Sequence, residues 1–407
     1  MADPTPARTL AWTGSHPPER AAALARIARV RPAEYARTRN HLDGAVTGLS
    51  PYLTHGVVTL REVLSGVLQR APLPVQHKLV FELGWREYFR HVWGHAGDRI
   101  LQSLHAGPRP DGAYDPVLPP DVRHADTGIP AIDRAVQALY AGGTLHNHAR
   151  MWLASYVVHL RGVHWRAGAD WMVAHLLDGD LASNHLSWQW VAGTSSRKPY
   201  LFNADNVARY APATWHSPGT AIDRSYEALE LAARGRNDAP APVRAAHEPE
   251  PIEPPLHAEP PADLGFRAPS ADDLVPLRGR GVWLVHPWAL RAPPPDLDAG
   301  AAVIGVALRE HHRRWPWPEA RWRWVDTAMA EVTARRWWVD RAELTAALAG
   351  AAWVRSVDDP HVSDGLRGVA RLDPAPTLFP PVSRRCDSFS RWWTATTRGL
   401  AHARELL

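Results

Sequence analysis

The stretch 165–190 combines acidic, amide and aromatic side chains in an order that could hold a ligand. Asp180, Asn184 and Trp188 are four residues apart, so on a helix they form one stripe. Together with Asp178 they place two carboxylates and an amide among leucines, where unpartnered polar groups are costly to bury. The stripe favours a pocket wall for a flat, polar aromatic ligand. The alternative is that either aspartate caps a helix and the tryptophans are core.

A second candidate face lies in the run FELGWREYFRHVW at 81–93. Glu82, Trp85, Arg86 and Phe89 follow helical spacing, so one helix face carries an acid, an indole, a guanidinium group and a ring. The alternative is a half-buried helix with an internal Glu82–Arg86 ion pair, worth about 0.3–0.5 kcal/mol.

Hydroxyl and backbone donors are concentrated in VTGLSPYLTHG at 46–56. Thr47 and Ser50 supply hydroxyls and Gly48 allows close backbone approach, a combination that can hold phosphate oxygens. A plain helix start at Ser50-Pro51 is the alternative.

The run TLHNHARMWLAS at 144–155 places Asn147, Arg150 and Met151 on one helix face. His146 and His148 are two residues apart and point in different directions on a helix. We therefore predict no metal site here.

Composition limits the class of protein. The chain has 407 residues, 45% hydrophobic and 22% charged, which predicts two globular domains. No window approaches the roughly 20 apolar residues of a membrane span, and MADPTPARTL lacks the apolar core of a secretion signal. Cys386 is the single cysteine, which excludes disulfide frameworks and cysteine-rich metal sites and favours a cytoplasmic location. A net charge of +4, carried mostly by arginine, is compatible with phosphate contacts.

Three consecutive segments are predicted along the chain. Residues 1–225 have helical periodicity, 226–276 form a proline-rich linker, and 277–407 form a smaller α/β domain. In the last segment we predict strands at 281–290, 301–310 and 351–357, and helices over Trp317–Trp338 and Ala342–Leu348. It contains no glycine-rich phosphate loop, so no ligand is predicted for it.

The motifs together resemble the photolyase/cryptochrome family. DGD-L-A-x-N followed by W-Q-W resembles the family's flavin-binding signature, and E-L-x-W-R-E, H-N-x-x-R-M and T-G-x-P-x-x-D resemble further family segments. The resemblance spans about Tyr35 to Pro212 and implies a mainly α protein with an all-helical FAD-binding domain. The family places its α/β domain first, whereas here a Rossmann-like α/β segment follows. GVWLVHPWAL resembles the first strand of the family's antenna domain, which implies a rearranged order.

The resemblance also implies roles for individual residues. FAD contacts fall on Tyr35, Thr47, Leu49, Ser50, Arg86, Asn147, Arg150, Asp178, Asp180 and Asn184, with Asp178 pairing with Arg150. Substrate contacts fall on Glu82, Trp85, Met151 and Trp190, and also on Asn147. Trp188 and Trp165 match the first two members of an electron-donating tryptophan chain. For the missing third member, the candidates are Tyr114, Trp152 and Trp171.

The implied activity is blue-light-dependent repair of cyclobutane pyrimidine dimers by electron transfer from reduced FAD. The partner is damaged DNA, which needs a flat stacking wall and a hydrogen-bonding group. We expect a monomer without membrane association, and leave the antenna chromophore open. The alternatives are a cryptochrome-like photoreceptor or redox sensor without repair activity, and a flavoenzyme acting on another small aromatic substrate.

Overall fold

The computed structural model describes residues 14–235 and 253–407. The chain divides into two compact units. The helical unit comprises residues 26–50, 59–235, 253–255 and 376–407. The α/β unit comprises residues 14–25, 51–58 and 256–375.

The helices are, in chain order, α1 (Arg20–Arg29), α2 (Pro32–Thr38), α3 (Ser50–Thr54), α4 (Leu60–Leu68), α5 (Lys78–Ala96), α6 (Pro120–Arg123), α7 (Pro130–Gly142), α8 (Asn147–Ser155), α9 (Trp165–His175), α10 (Leu181–Ala192), α11 (Ala204–Tyr210), α12 (Tyr226–Ala233), α13 (Ala271–Leu274), α14 (Arg309–Arg314), α15 (Glu319–Ala330), α16 (Arg341–Ala347), α17 (Ser363–Leu366) and α18 (Phe389–Thr396). The strands are β1 (Leu256–His257), β2 (Phe266–Arg267), β3 (Gly281–Val285), β4 (Ala302–Leu308), β5 (Trp317–Pro318), β6 (Arg336–Val339), β7 (Trp353–Val357) and β8 (Arg371–Asp373). None of the helices in the described ranges is long and apolar enough to cross a membrane.

Local sequence signals set the helix ends that matter for the site. Asp180 caps α10 by accepting the Ser183 N–H at 2.7 Å, and Gly193 ends that helix with φ +82°, a conformation that favours glycine. Asp133 accepts hydrogen bonds from the backbone N–H groups of Thr127 and Gly128 before α7. The T-G-x-P-x-x-D segment is therefore a structural lead-in.

The core of the helical unit lies among α7, α8, α9 and α10. Trp152 and Leu153 of α8 and Val136 of α7 are fully buried, and Met172 of α9 is nearly so. This packing fixes the faces of α8, α9 and α10 that carry the predicted site residues.

The α/β unit is organised around a six-stranded sheet in the order β2-β6-β4-β3-β7-β8, with every neighbouring pair parallel. The strand order reverses beside β3, between β3 and β7, which in open α/β sheets is the usual ligand edge. A separate two-stranded antiparallel pair joins β1 to β5.

Rings fill the carboxyl ends of β3, β4 and β7. This ring cluster consists of Trp288, His311, His312, Trp317, Trp322 and His361. Trp288 stacks on His361 with centroids 4.4 Å apart and planes at 8°, and His312 lies 4.3 Å from both Trp317 and Trp322. The ligand edge of the sheet is thus occupied by the protein's own side chains.

The predicted helix over Trp317–Trp338 is wrong at both ends. Trp317 belongs to β5, α15 stops at Ala330, and 336–339 form the interior strand β6, paired with β4 and β2. The apolar stripe that suggested a helix is real within α15, where Trp324 is fully buried. Beyond it, pairing with two neighbouring strands outweighs local helical periodicity. The predicted strands at 281–290, 301–310 and 351–357 contain β3, β4 and β7.

The described units are interleaved along the chain, whereas the predicted segments are consecutive. Residues 376–407 pack with the helices because Phe389, Trp392 and Trp393 form a buried face of α18 directed at α5. Part of the predicted linker forms α12, β1 and β2. The segment boundaries themselves stay a prediction, and 236–252 of the linker lies outside the described residues.

Candidate functional site

An ion pair joins α8 to the turn before α10. Arg150 Nη2 donates to both carboxylate oxygens of Asp178 at 2.9 Å, and Arg150 Nε donates to the Leu145 carbonyl at 2.8 Å. Asp178 is only 6% exposed, so the ion pair with Arg150 helps to compensate for the hydration that it loses on burial. The predicted pairing of Asp178 with Arg150 is confirmed.

Asp180 has partners on both α10 and α5. It caps α10, which was the alternative interpretation of its role, and it also accepts a short hydrogen bond from Arg90 Nη2 of α5. At 1% exposure it is almost fully buried. Arg90 was not predicted, although it lies four residues after Arg86 on the same helix face and helical spacing could have identified it.

Arg86 brings the two ion pairs into one electrostatic group. Burial lowers the pKa of Arg86, while the carboxylates of Asp180 and Asp178 raise it and the guanidinium groups of Arg90 and Arg150 lower it. These five residues are the charged cluster. Three guanidinium groups and two carboxylates therefore interact in this cluster. Arg86 retains partial solvent exposure.

Glu82 lies one turn before Arg86 on α5 and is tied to α2. Arg39 Nε donates to Glu82 Oε1 at 3.3 Å, and the Glu82 side chain keeps 34% of its exposure. Burial, followed by the Glu82 charge, raises the pKa of Tyr35, so its hydroxyl stays protonated. The structure thus brings Tyr35 and Glu82 together through a third residue, Arg39, that sequence reasoning missed.

Asn147 and Met151 occupy one exposed edge of α8. Asn147 Nδ2 lies 3.7 Å from the Met151 sulfur, so the predicted shared face is present. His148 turns the other way: its Nδ1 contacts the Asn40 carbonyl at 2.7 Å and its ring packs 4.8 Å from Trp152. Within the described ranges, no group of three or more histidine, cysteine, aspartate or glutamate side chains is placed to hold a metal ion.

Asn184 and Trp188 follow Asp180 along α10, as the stripe predicts. Asn184 Nδ2 donates to the Ala169 carbonyl at 2.8 Å, which turns its Oδ1 away from α9. The Trp188 ring lies over Gly168, where an added Cβ would approach it within 2.3 Å. Gly168 is therefore required for the position of Trp188, and the sequence did not identify it.

An aromatic path continues from this point towards the surface. Trp165 begins α9, one turn before Gly168, and its ring is 5.6 Å from His164. His164 is in turn 6.1 Å from Tyr114, a half-buried residue whose sequence neighbours are exposed.

The other two candidates for the third donor have different neighbours. Trp152 donates to Asn206 Oδ1 at 3.0 Å, and Trp171 donates to the Tyr140 hydroxyl at 3.1 Å. Within the described residues, Tyr114 is thus the candidate whose ring reaches Trp165 through a single imidazole.

The W-Q-W motif divides into three environments. Trp188 is 2% exposed, and Gln189 is buried with Nε2 donating to the Ile100 carbonyl at 2.8 Å. Trp190 is 39% exposed and lies 5.8 Å from Tyr200. Only the last of the three offers an accessible ring.

Trp85 has an unexpected neighbour. The ring of Phe389, from α18, stacks on it with centroids 4.0 Å apart and planes at 11°. The two residues are about 300 positions apart, so no local sequence signal could have found this contact.

The hydroxyl-rich segment before α3 has local contacts. Leu49 N–H donates to the Thr47 hydroxyl at 3.3 Å, Gly48 has φ +60°, and Ser50 begins α3. Leu49 is 1% exposed, so its side chain is part of the hydrophobic core. Phosphate contacts by Thr47, Leu49 and Ser50 stay a prediction.

Comparison with known proteins identifies the helical region. Residues 79–216 match the family described as the FAD binding domain of DNA photolyase. That range contains every predicted site residue except Tyr35, Thr47, Leu49 and Ser50.

Named relatives come from both branches of the family. The chain is 35% identical over 191 residues to a chloroplastic/mitochondrial cryptochrome DASH from Ostreococcus tauri, covering 45% of this chain and 35% of the relative. It is 31% identical over 229 residues to a deoxyribodipyrimidine photo-lyase from Streptomyces griseus, covering 52% and 49% respectively. A solved cryptochrome from Synechocystis sp. PCC6803 is 26% identical with a TM-score of 0.43, covering 52% of this chain and 46% of that one.

The chain therefore spans about a third to a half of the length of these relatives. The matched residues nevertheless include the charged cluster and the helices that carry it. Residues 79–216 are therefore similar to the FAD-binding domain of DNA photolyases, and the chain resembles photolyases and cryptochromes over about half of its length.

Proposed function

We propose that the protein is a blue-light-dependent DNA lyase that splits cyclobutane pyrimidine dimers. The observation that carries this proposal is the charged cluster, in which Arg86, Arg90 and Arg150 are grouped with Asp178 and Asp180 inside the region that matches a photolyase FAD-binding domain. Guanidinium groups held in a partly buried position can stabilise an anionic ligand. Reduced FAD, when bound, supplies the light-driven electron that opens the cyclobutane ring.

The residues around the cluster hold and orient this cofactor in the proposal. Arg150 fixes Asp178, and Arg90 fixes Asp180, so both carboxylates accept hydrogen bonds from a ligand without moving. Asn184, held by Ala169, presents its amide oxygen to the ring system. Tyr35, Thr47, Leu49, Ser50 and Asn147 complete the contacts that the family resemblance implies.

The residues that we propose for substrate binding lie on α5, α8 and α10, the helices that also carry the charged cluster. Glu82, partly exposed and held by Arg39, accepts or donates a hydrogen bond at the imide edge of a base. Trp85, Met151 and Trp190 provide apolar walls, and Asn147 hydrogen-bonds the base beside Met151. Trp188 and Trp165 deliver electrons that keep the cofactor reduced. The proposal includes a mainly α protein in which the FAD-binding domain precedes a linker and a smaller antenna-like α/β domain.

Purified protein with chemically reduced FAD should restore dimer-containing DNA under blue light and not in the dark. Glu82→Gln should reduce repair about 10- to 100-fold, because one charged hydrogen bond to the lesion is lost. Glu34→Gln is the matched control, since Glu34 pairs with Arg31 on α2 in the same way that Glu82 pairs with Arg39. Absence of repair by the reduced wild-type protein would refute the proposal.

A photoreceptor or redox sensor without repair activity is the second candidate. The identity to the cryptochrome DASH of Ostreococcus tauri supports it as directly as the photolyase match supports the first. Tight FAD binding and a light-driven absorbance change, without affinity for dimer-containing DNA, would favour the sensor.

A further inference from the structure

Hydrogen bonds connect the C-terminal segment, residues 376–407, to α5. Glu87 accepts from the backbone N–H groups of Leu378 at 2.5 Å and Phe379 at 3.0 Å. One turn later, His91 Nε2 accepts from the Cys386 N–H at 3.0 Å. These residues lie beside Glu82, Trp85 and Arg86 on the same helix, so the segment borders the proposed site.

Aromatic packing then directs α18 at Trp85. Phe389 stacks on Trp85 at 4.0 Å and also contacts Phe81 at 4.6 Å. No base fits between two rings at this separation, so Phe389 closes one face of Trp85 and holds its plane. Trp85 keeps partial exposure, which leaves the rest of the indole for a ligand.

The segment also has a net positive charge. It has five arginines, Arg384, Arg385, Arg391, Arg398 and Arg404, against Asp387 and Glu405. The difference, +3, compares with +4 for the whole chain.

Three of these arginines are close to Phe389 in sequence. Arg384, Arg385 and Arg391 are exposed within five residues of Phe389. Asp387 lies 3.1 Å from Arg385 and 3.8 Å from Arg391, so one carboxylate is shared by two guanidinium groups. A positive excess therefore remains in the stretch of chain that carries Phe389, whose ring stacks on Trp85.

We propose that residues 376–407 form one side of the nucleic-acid-binding face. Arg384, Arg385 and Arg391 contact backbone phosphates, which arginine binds well, and Phe389 is a positioning residue that holds Trp85 as a stacking wall. This inference rests on the proposed function, because it supplies the phosphate contacts that a DNA substrate needs and assigns them to a segment distant in sequence from the FAD-binding motifs.

The test compares two triple variants in the dark. Arg384→Ala/Arg385→Ala/Arg391→Ala should weaken binding to undamaged and dimer-containing duplexes alike, by about tenfold or more at ~0.15 M salt. The slope of log K against log salt should shrink by about 1 for each arginine removed. Arg278→Ala/Arg313→Ala/Arg367→Ala removes the same charge from exposed positions of the α/β unit and should leave the slope unchanged.

Phe389→Leu tests the stacking role separately. It should reduce the preference for dimer-containing over undamaged DNA several-fold with the salt slope unchanged, and FAD absorbance per protein should remain that of the wild type. A wild-type salt slope in the first triple variant, or an equal loss in the control triple variant, overturns the proposal. Either result is independent of whether the reduced protein repairs dimers, because binding is measured without light.

Discussion

The charged cluster of the helical unit and the ring cluster of the α/β unit bury polar groups in opposite ways. In the charged cluster, Asp178 and Asp180 are paired with arginines while Arg86 stays partly exposed. In the ring cluster, His312 has no exposure, neither of its ring nitrogens has a hydrogen-bond partner among the described residues, and indoles surround it. The first arrangement keeps a guanidinium group partly accessible to solvent, whereas the second buries an imidazole completely.

The same comparison shows that many of the tryptophans are core residues of the α/β unit. The sequence has 20, an excess that suggests electron-transfer chemistry. Seven in the α/β unit are at most 9% exposed and pack in its interior, namely Trp283, Trp288, Trp317, Trp322, Trp324, Trp337 and Trp338. The number of tryptophans therefore says little about chemistry, and their neighbours decide which of them could transfer electrons.

The largest expected effect comes from removing a charge of the charged cluster. Asp178→Asn leaves Arg150 without its anionic partner and removes an acceptor that we propose for FAD. FAD affinity should fall about 10- to 100-fold, measured by fluorescence titration of the apoprotein.

Asp121→Asn is the control for that substitution. Asp121 pairs with Arg161 through two hydrogen bonds of 2.5 and 3.1 Å, outside the charged cluster. It should lower the free energy of unfolding without changing FAD affinity. Equal losses of FAD affinity in both variants would mean that the charged cluster is structural, like the ring cluster.

The contacts of the site that could be predicted are those between residues related by short-range helical spacing. The i to i+4 relation of Asn147 and Met151 gives their contact directly, and the stripe from Asp180 to Trp188 gives the face of α10. The Asp178–Arg150 pair came from the family resemblance, because 28 residues separate its members.

The contacts that escaped prediction depend on distant chain segments. Arg39 reaches Glu82 from another helix, and Phe389 reaches Trp85 from the other end of the chain. The strand β6 was missed for a related reason. It is stabilised by pairing with β4 and β2, and the local pattern around Trp337 and Trp338 does not reveal this pairing.

The second prediction concerns the path from Trp165 to Tyr114. If Tyr114 ends that path, oxidised Trp165 takes an electron from Tyr114, the phenol releases its proton to solvent, and an added thiol restores the tyrosine. Tyr114→Phe should therefore slow light-driven reduction of FAD about tenfold in the presence of thiol, followed by flavin absorbance. Tyr140→Phe is the control, since Tyr140 is also half-buried but packs with Trp171. An unchanged rate in Tyr114→Phe would remove Tyr114 from the path.

The third prediction tests the ring cluster with acid. Burial lowers the pKa of His311 and His312 well below the usual value near 6.5, so the unfolded chain binds protons that the folded state does not. The free energy of unfolding should therefore be independent of these two histidines above about pH 6.5. Below that pH it should decrease by at most about 1.4 kcal/mol per pH unit for each histidine. His312→Phe should remove part of this dependence, measured by hydrogen exchange of β4 amides between pH 4.5 and 7.5. An unaltered acid dependence in His312→Phe would show that the histidine does not control stability.

The smallest predicted effect has the opposite sign and lies in the helical unit. Burial raises the pKa of Glu87 to about 7, despite the hydrogen bonds from Leu378 and Phe379 that lower it. The folded state therefore binds a proton more tightly than the unfolded chain, whose glutamate titrates near pH 4.3. This contribution to stability is present below about pH 4.3 and is lost as the pH rises through about 7, with a slope of at most about 1.4 kcal/mol per pH unit.

Hydrogen exchange of the Leu378 and Phe379 amides should therefore become less protected between pH 5 and 8 in the wild type, after correction for the intrinsic rate. In Glu87→Gln the corrected protection should not depend on pH, because the amide does not titrate. If the two proteins respond identically, Glu87 carries no proton-linked energy in this contact. Because the ring cluster loses stability on acidification and the Glu87 contact on alkalinisation, a single pH series should separate the two units without any substitution at the charged cluster.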